Sequence, residues 1–178
     1  MSQKTRNVIL IGMPGAGKST LGVVLAKIVN MRFIDADLVI QERCGATLQS
    51  IIDKRGTEAF IETENDILCT IEAENTIIAT GGSAIYSDEA MKHFSEIGTI
   101  VYLEISYESL VERLGDLQER GVVMRNGTGM SLRELFDERK PLYEKFAEIT
   151  VNIDGLNITD AARKVASNLT DSRSRCQI

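Results

Sequence analysis

Short apolar runs alternate along the chain with longer stretches in which apolar residues recur at helical spacing. The short runs predict β-strands, and the stretches between them predict amphipathic helices. The predicted strands cover 8–11, 32–35, 76–79, 99–103 and 149–152, and the predicted helices cover about 18–30, 37–55, 57–73, 87–96, 106–114, 131–147 and 158–169. Strands that are separated by helices favour parallel pairing through right-handed crossovers. The pattern therefore predicts an α/β fold with a five-stranded parallel sheet covered by helices on both faces.

Composition narrows the class of protein. The chain has 178 residues, which is typical of a single domain. A net charge of −6 argues against a nucleic-acid partner, and no apolar stretch approaches the length of a membrane-spanning helix. An odd number of cysteines without metal-ligand spacing, and no signal peptide, favour a protein of the cytoplasm. We expect one domain over 1–170 and a disordered polar tail over 171–178.

A glycine-rich segment follows the first predicted strand and leads into the first predicted helix. It matches Gly-x-x-x-x-Gly-Lys-Ser/Thr, the pattern of a phosphate-binding P-loop. In such a loop backbone N–H groups surround phosphate oxygens, the lysine reaches the β- and γ-phosphates, and the hydroxyl binds Mg²⁺. The predicted ATP-binding residues are Gly12, Gly15, Ala16, Gly17, Lys18, Ser19 and Thr20.

Three further features lie beyond the P-loop. Asp35 and Asp37 end the second strand, where residues two apart share a face, so that one can hold Mg²⁺ and the other can orient a hydroxyl. The alternative is that they cap the next helix. Gly81 and Gly82 follow the third strand and allow close approach of a substrate, or form a simple turn. The glycine-rich, basic segment at 115–130 contains Arg120 and predicts a mobile lid, the alternative being a solvated loop.

At this point the chain resembles the shikimate kinases over residues 5–168. The resemblance rests on ordered motifs: the P-loop at 12–20, Asp35-x-Asp37, Gly56-x-x-x-Phe60, Gly81-Gly82, Arg120, and Arg139-Lys140-Pro141-Leu142-Tyr143. It implies a three-layer P-loop kinase fold with a helical substrate-binding subdomain at about 37–65 and a closing lid at about 115–130. It also implies a monomer that transfers the γ-phosphate of ATP, with Mg²⁺, to a ring hydroxyl of shikimate.

The resemblance also implies a role for individual side chains. By that likeness Lys18 contacts the transferred phosphate, and Ser19 and Asp35 hold the metal. Asp37 contacts the reacting hydroxyl and Arg120 the transferring phosphate. In the same way, Arg113 matches the arginine that lies against adenine, and Arg139 the arginine that binds the substrate carboxylate.

Several positions depart from the family pattern, and they fall in the half that binds the acceptor. The arginine that is the main partner of the shikimate carboxylate is replaced by Ile61, and the third glycine after the third strand is Ser83. The proline that usually follows the lid arginine is Gly121. Glu64, one helical turn after Ile61, loses its arginine neighbour and is expected to attract a cation or a hydroxyl. The acceptor-binding candidates are thus Asp37, Ile61, Glu64, Gly81, Gly82, Ser83 and Arg139.

These departures leave more than one function open. In the first, the chain is a true shikimate kinase whose carboxylate contact falls to Arg139 and to another basic residue such as Arg55. In the second, it is a kinase of the same fold for a different acceptor, such as homoserine, another hydroxy acid or a polyol. The third is a nucleotide-binding module without catalysis, which the survival of Lys18, Asp37 and Arg120 disfavours.

Overall fold

The computed structural model describes residues 7–114 and 130–175. Within these ranges the strands are β1 (Asn7–Ile11), β2 (Arg32–Asp35), β3 (Thr76–Ala79), β4 (Gly98–Glu104) and β5 (Ile149–Asn152). The α-helices are α1 (Lys18–Val29), α2 (Ala36–Cys44), α3 (Leu48–Leu68), α4 (Asp88–Ile97), α5 (Tyr107–Leu114), α6 (Leu132–Phe146) and α7 (Ile158–Arg175). A single 3₁₀ turn, Ala84–Tyr86, lies between β3 and α4.

All five strands pair in parallel, in the order β2-β3-β1-β4-β5, which confirms the predicted sheet. β1 is the central strand, with Ile9 aligned between Ile78 of β3 and Ile100 of β4. Every residue of β1 and β3 is buried, because helices cover the sheet on both faces. α1 packs against α7 and the first three strands, and α4 and α6 pack against β4.

One polar side chain fixes the amino-terminal edge of the sheet. The Asn7 side-chain amide donates to the carbonyl of Ala73 at 2.6 Å and to that of Ile97 at 2.9 Å, and its oxygen accepts the N–H of Thr76 at 3.0 Å. These bonds hold together the starts of β1, β3 and β4. The loops that leave the opposite, carboxyl ends of the strands are then brought together, and ligands of such sheets bind there.

The region between β2 and β3 differs from the predicted pair of helices. The helix expected over 37–55 ends at Cys44, because Gly45 takes a left-handed conformation and stops it. A new helix, capped by the Thr47 side chain, then runs from Leu48 through the boundary that we predicted at residue 56. Gly56 is non-helical, with φ of 82°, so the predicted boundary is present as a kink inside α3. α3 ends at Leu68, earlier than the residue 73 that the pattern predicted.

The carboxyl-terminal helix is longer than the sequence indicated. α7 was expected over 158–169 but continues to Arg175, five residues into the segment for which we expected a disordered tail. Residues 176–178 lie outside the described residues, as does the predicted lid with the exception of Met130. None of the described helices combines the length and apolar character that a membrane crossing requires.

Candidate active site

The P-loop lies at the carboxyl end of β1 and runs directly into α1. Gly17 is the residue before the helix, in a left-handed conformation with φ of 90°, and it supplies no side-chain cap. The first backbone N–H groups of α1 therefore receive no hydrogen bond from an N-cap side chain. Such a helix start, with its partial positive charge, is suited to receive phosphate oxygens. Gly12 and Gly15 of the same loop also have positive φ.

Lys18 begins α1 with a buried side chain. Its ammonium group donates to the carbonyls of Gly12 at 2.8 Å and Met13 at 3.0 Å, so it lies folded over the loop. Burial lowers the pKa of Lys18 to about 8, and the negative charge of Asp37 opposes that shift. The next two residues, Ser19 and Thr20, are exposed in the first turn of α1. The predicted ATP-binding residues of the loop are thus brought together in one cradle.

The two aspartates at the end of β2 take different local roles. Asp35 is the N-cap of α2, and its Oδ1 accepts the N–H of Asp37 at 3.0 Å. The prediction that both lie on one face of an extended strand is wrong in this respect, because the helix already begins at Ala36 and Asp37 lies in its first turn. Asp35 instead takes the alternative role that we considered for this pair, that of a helix cap. The negative charges of both carboxylates nevertheless raise the pKa of Lys18, so both lie close enough to act on the P-loop ammonium.

Burial raises the pKa of Asp37, and the nearby Lys18 charge partly offsets the rise. A carboxylate whose proton affinity is raised in this way is a better acceptor for the proton of a hydroxyl group. Asp37 therefore has the charge and the surroundings of a group that orients or deprotonates an acceptor.

A metal ion at this site would find few protein ligands. The described parts of the chain contain no group of three or more histidine, cysteine, aspartate or glutamate side chains that could hold a metal. What they offer beside the P-loop is the exposed Ser19 hydroxyl and the second oxygen of Asp35. A sparse set of hard oxygen ligands fits Mg²⁺, which keeps several waters and binds to substrate phosphates.

Glu64 is the most buried acidic side chain of the site, only 2 % exposed. Its Oε2 accepts a hydrogen bond of 2.6 Å from the Ser83 hydroxyl. Burial raises the pKa of Glu64 to about 7, and the negative charge of Asp37 adds to the rise, while the Ser83 bond and the Arg139 charge oppose it. One hydroxyl that contacts Glu64 thus comes from inside the chain, from the serine that replaces the third glycine.

Gly81 and Gly82 pass between the functional side chains. A Cβ on Gly81 would lie 2.8 Å from Oδ1 of Asp37 and 2.8 Å from Oε1 of Glu64. A Cβ on Gly82 would lie 2.8 Å from a terminal nitrogen of Arg139. Glycine at both positions lets the backbone pass close to the carboxylates and the guanidinium group, where a side chain would not fit.

Arg139 projects from α6, whose start is fixed by a capping box between Ser131 and Glu134. Its side chain is fully buried. Nε donates to the Tyr86 hydroxyl at 3.1 Å, and the guanidinium group lies 5.1 Å from the centre of that ring. A buried guanidinium group beside Gly82 is suited to bind a carboxylate.

Two tyrosines beside Arg139 had no role assigned to them from the sequence. Tyr86 also donates to Glu138 at 2.6 Å, and Tyr143 donates to the Gly82 carbonyl at 2.9 Å. Tyr143 follows Arg139 by four residues, so its place on the same helix face was readable from the motif. Tyr86 lies in the 3₁₀ turn after β3, which carried no pattern that would connect it with α6.

The remaining predicted residues are spread around this centre. Arg113 donates to the Ala16 carbonyl of the P-loop at 3.1 Å, which places its side chain beside the nucleotide cradle. Ile61 is half-buried and packs against the apolar core. Arg55, the suggested substitute cation, is exposed. Arg120 lies outside the described residues.

Comparison with known proteins agrees with this geometry. A model of the shikimate kinase family matches residues 14–170. A shikimate kinase of Francisella tularensis subsp. novicida is 36% identical over 170 residues, which cover 94% of this chain and 97% of the relative. A solved shikimate kinase of Acinetobacter baumannii, in complex with shikimate, is 28% identical with a TM-score of 0.82, and covers 94% of each chain. That of Aquifex aeolicus is 30% identical with a TM-score of 0.77, over 94% of this chain and 98% of the other.

Proposed function

The chain belongs to the shikimate kinase family, as its motifs predicted, and from this premise we propose that it transfers the γ-phosphoryl group of ATP to a ring hydroxyl of shikimate. The observation that carries the proposal is that Asp37 and Arg139 approach the backbone at Gly81 and Gly82, and that the charges of both act on the P-loop ammonium of Lys18. These side chains supply a phosphate contact, a hydroxyl contact and a carboxylate contact in one place. Homoserine or a polyol as acceptor, and a module without catalysis, are not favoured by the family.

The acceptor half of the proposed site works through opposite charges at its two ends. The guanidinium group of Arg139 binds the carboxylate of shikimate, and Tyr86 keeps the arginine in position. Asp37 accepts a hydrogen bond from the hydroxyl that is to be phosphorylated and takes its proton as the phosphoryl group arrives. Since Ile61 contributes no charge, we assign the carboxylate contact to Arg139.

The nucleotide half offsets the negative charge that the transferred group carries. Lys18 turns from the loop carbonyls to the β- and γ-phosphates, and the P-loop N–H groups hold the remaining phosphate oxygens. Ser19 and Asp35 would hold Mg²⁺, which neutralises phosphate charge when it is bound. Arg113, fixed to the Ala16 carbonyl, lies against the adenine, and Arg120 contacts the transferred phosphate.

We further propose that the domain closes over its substrates. The substrate-binding subdomain at about 37–65 corresponds to α2 and the larger part of α3, and the kink at Gly56 divides it. Closure of this subdomain and of the segment at 115–130 would exclude water, which competes with the acceptor for the phosphoryl group. We also propose that the protein acts as a monomer in the cytoplasm, in keeping with the free thiols of Cys44 and Cys69.

The direct test of the function is release of ADP from ATP and Mg²⁺ by the purified protein. The acceptors compared are shikimate, homoserine and a small set of hydroxy acids and polyols. We expect saturable turnover with shikimate and only background release with the others. Turnover that saturates with another acceptor and not with shikimate would refute the proposal, as would ADP release that no acceptor stimulates.

A further inference from the structure

The Tyr86 hydroxyl connects two neighbouring side chains of α6 that do not face each other. Glu138 and Arg139 are consecutive residues, so on a helix their side chains point in directions about 100° apart. The 3₁₀ turn that carries Tyr86 packs against α6, and the phenol oxygen reaches both side chains. It donates to Oε1 of Glu138 at 2.6 Å and accepts from Nε of Arg139 at 3.1 Å. A carboxylate and a guanidinium group of one helix are thus joined through a residue of the segment after β3.

The single proton of the Tyr86 hydroxyl gives this connection a direction. A phenol has one O–H to donate, and an arginine side chain can only donate. Because Tyr86 gives its proton to the Glu138 carboxylate, the lone pairs of its oxygen are available to the guanidinium group of Arg139. Glu138 therefore fixes the hydroxyl in the orientation in which it accepts from Arg139.

A second tyrosine holds the same guanidinium group. Tyr143 also hydrogen-bonds to the Arg139 side chain, and it gives its own proton to the Gly82 carbonyl at 2.9 Å. The backbone N–H of Tyr86 donates to the Ser83 carbonyl at 2.9 Å, so the turn that carries the Tyr86 ring is itself fixed. Since Arg139 is fully buried, contacts of this kind rather than solvent set the direction of its guanidinium group.

We propose that Glu138 is a positioning residue of the acceptor site, which acts through the Tyr86 hydroxyl to hold Arg139 in the orientation that receives the carboxylate of the acceptor. The inference rests on the proposed function and deepens it, because Ile61 leaves this contact to Arg139. A guanidinium group binds a carboxylate through two parallel N–H donors, so binding depends on the direction in which the group points. A direction that is set before the acceptor arrives reduces the entropy that binding must cost.

The test is a double-variant cycle at Tyr86 and Glu138, with the KM for shikimate as the readout. Tyr86→Phe removes the hydroxyl and keeps the ring beside the guanidinium group, and Glu138→Met removes the acceptor of the hydroxyl proton. In each single variant we expect this KM to rise by about three- to tenfold. The kcat and the KM for ATP should change little, because the carboxylate takes no part in the transfer.

Two comparisons separate positioning through Tyr86 from a general structural role of Glu138. If Glu138 acts through the hydroxyl, the double variant has the same KM as Tyr86→Phe alone, since the relay is already broken. Glu138→Gln keeps an oxygen that can accept the hydroxyl proton, so its KM should stay close to that of the wild type. The matched control is Glu144→Met, because Glu144 lies on α6 with an exposed side chain that pairs with Lys140. This control should leave the KM for shikimate unchanged.

Each outcome bears on one of the two proposals. Thermal unfolding and the KM for ATP check that a variant is folded, and Glu138→Ala replaces Glu138→Met in the cycle if the latter fails. Single effects that add in the double variant, an unchanged KM in Glu138→Met, or a KM in Glu138→Gln as high as in Glu138→Met would overturn the role of Glu138 and leave the proposed function intact. An absence of shikimate turnover in the wild type would overturn the proposed function, and this inference with it.

Discussion

The Ser83 hydroxyl donates a hydrogen bond of 2.6 Å to Oε2 of Glu64. Ser83 and Ile61 are both departures from the family pattern, and both change the surroundings of the same carboxyl group. Ile61 removes the cation expected beside Glu64, and Ser83 supplies a neutral donor in its place. The two changes therefore form one altered pocket, in which a charge pair has become a hydroxyl–carboxyl pair.

Restoring the family pattern at both positions should strengthen shikimate binding. In the double variant Ile61→Arg with Ser83→Gly, the new guanidinium group pairs with Glu64 and reaches the substrate carboxylate. An arginine–carboxylate fork supplies two charge-assisted hydrogen bonds, so we expect the KM for shikimate to fall by about tenfold or more. The two single variants serve as controls, and neither should lower the KM for shikimate as much as the double variant does. An unchanged KM in the double variant would mean that the pocket differs at further positions.

Glu64 should make the stability of the protein depend on pH. Its pKa is raised to about 7 in the folded chain from an ordinary value of 4.5. The contribution of Glu64 to the free energy of unfolding is therefore fully present below its ordinary pKa of 4.5, and it is lost as the pH rises through about 7. Relative to Glu64→Gln, the free energy of unfolding of the wild type should fall by about 2 kcal/mol between about pH 5 and about pH 8.

Urea denaturation of both proteins at the two pH values measures this difference. The matched control is Glu62→Gln, since Glu62 is exposed on the same helix and its replacement should give no such change. Equal pH dependence of the wild type and Glu64→Gln would show that the carboxyl group is ionised in the folded protein as readily as in the unfolded one.

Removal of the P-loop ammonium should abolish most turnover. In Lys18→Ala the charge that faces the transferred phosphate is gone, and we expect kcat to fall by about 100-fold or more. The fold should persist, because within the part of the chain that the structure describes the ammonium group hydrogen-bonds to the carbonyls of Gly12 and Met13 alone. Steady-state kinetics measures the fall in kcat, and thermal unfolding checks that the variant keeps its fold. Lys27→Ala, at the exposed end of the same helix, should retain activity.

Asp37→Asn tests the group assigned to the reacting hydroxyl. The amide has nearly the same shape but cannot take a proton, so we expect kcat to fall by about 100-fold or more while the KM for ATP changes little. Asp66→Asn, at an exposed position of α3, is the control. A kcat close to that of the wild type in Asp37→Asn would show that the proton leaves by another route.

The sheet and the P-loop could be predicted because local patterns determine them, whereas the roles of the acceptor-side residues came from the family motifs and stay predictions. The apolar runs define β1 and β3. The spacing of the P-loop pattern fixes where its glycines stand relative to the start of α1. The start of α2 could not be predicted from strand periodicity, because Asp35 caps the helix through a side-chain bond that ends the strand. The contacts of Ser83 with Glu64 and of Tyr86 with Arg139 join residues far apart in sequence, and only the packed fold brings them together.

The product of the reaction tests the central claim most directly. Shikimate and homoserine at equal concentration are incubated together with the protein, ATP and Mg²⁺, and phosphorus NMR identifies the phosphate monoester that accumulates. We expect a shikimate phosphate as the only new monoester, formed in step with ADP. Accumulation of homoserine phosphate, or of inorganic phosphate without a phosphorylated acceptor, would contradict the account.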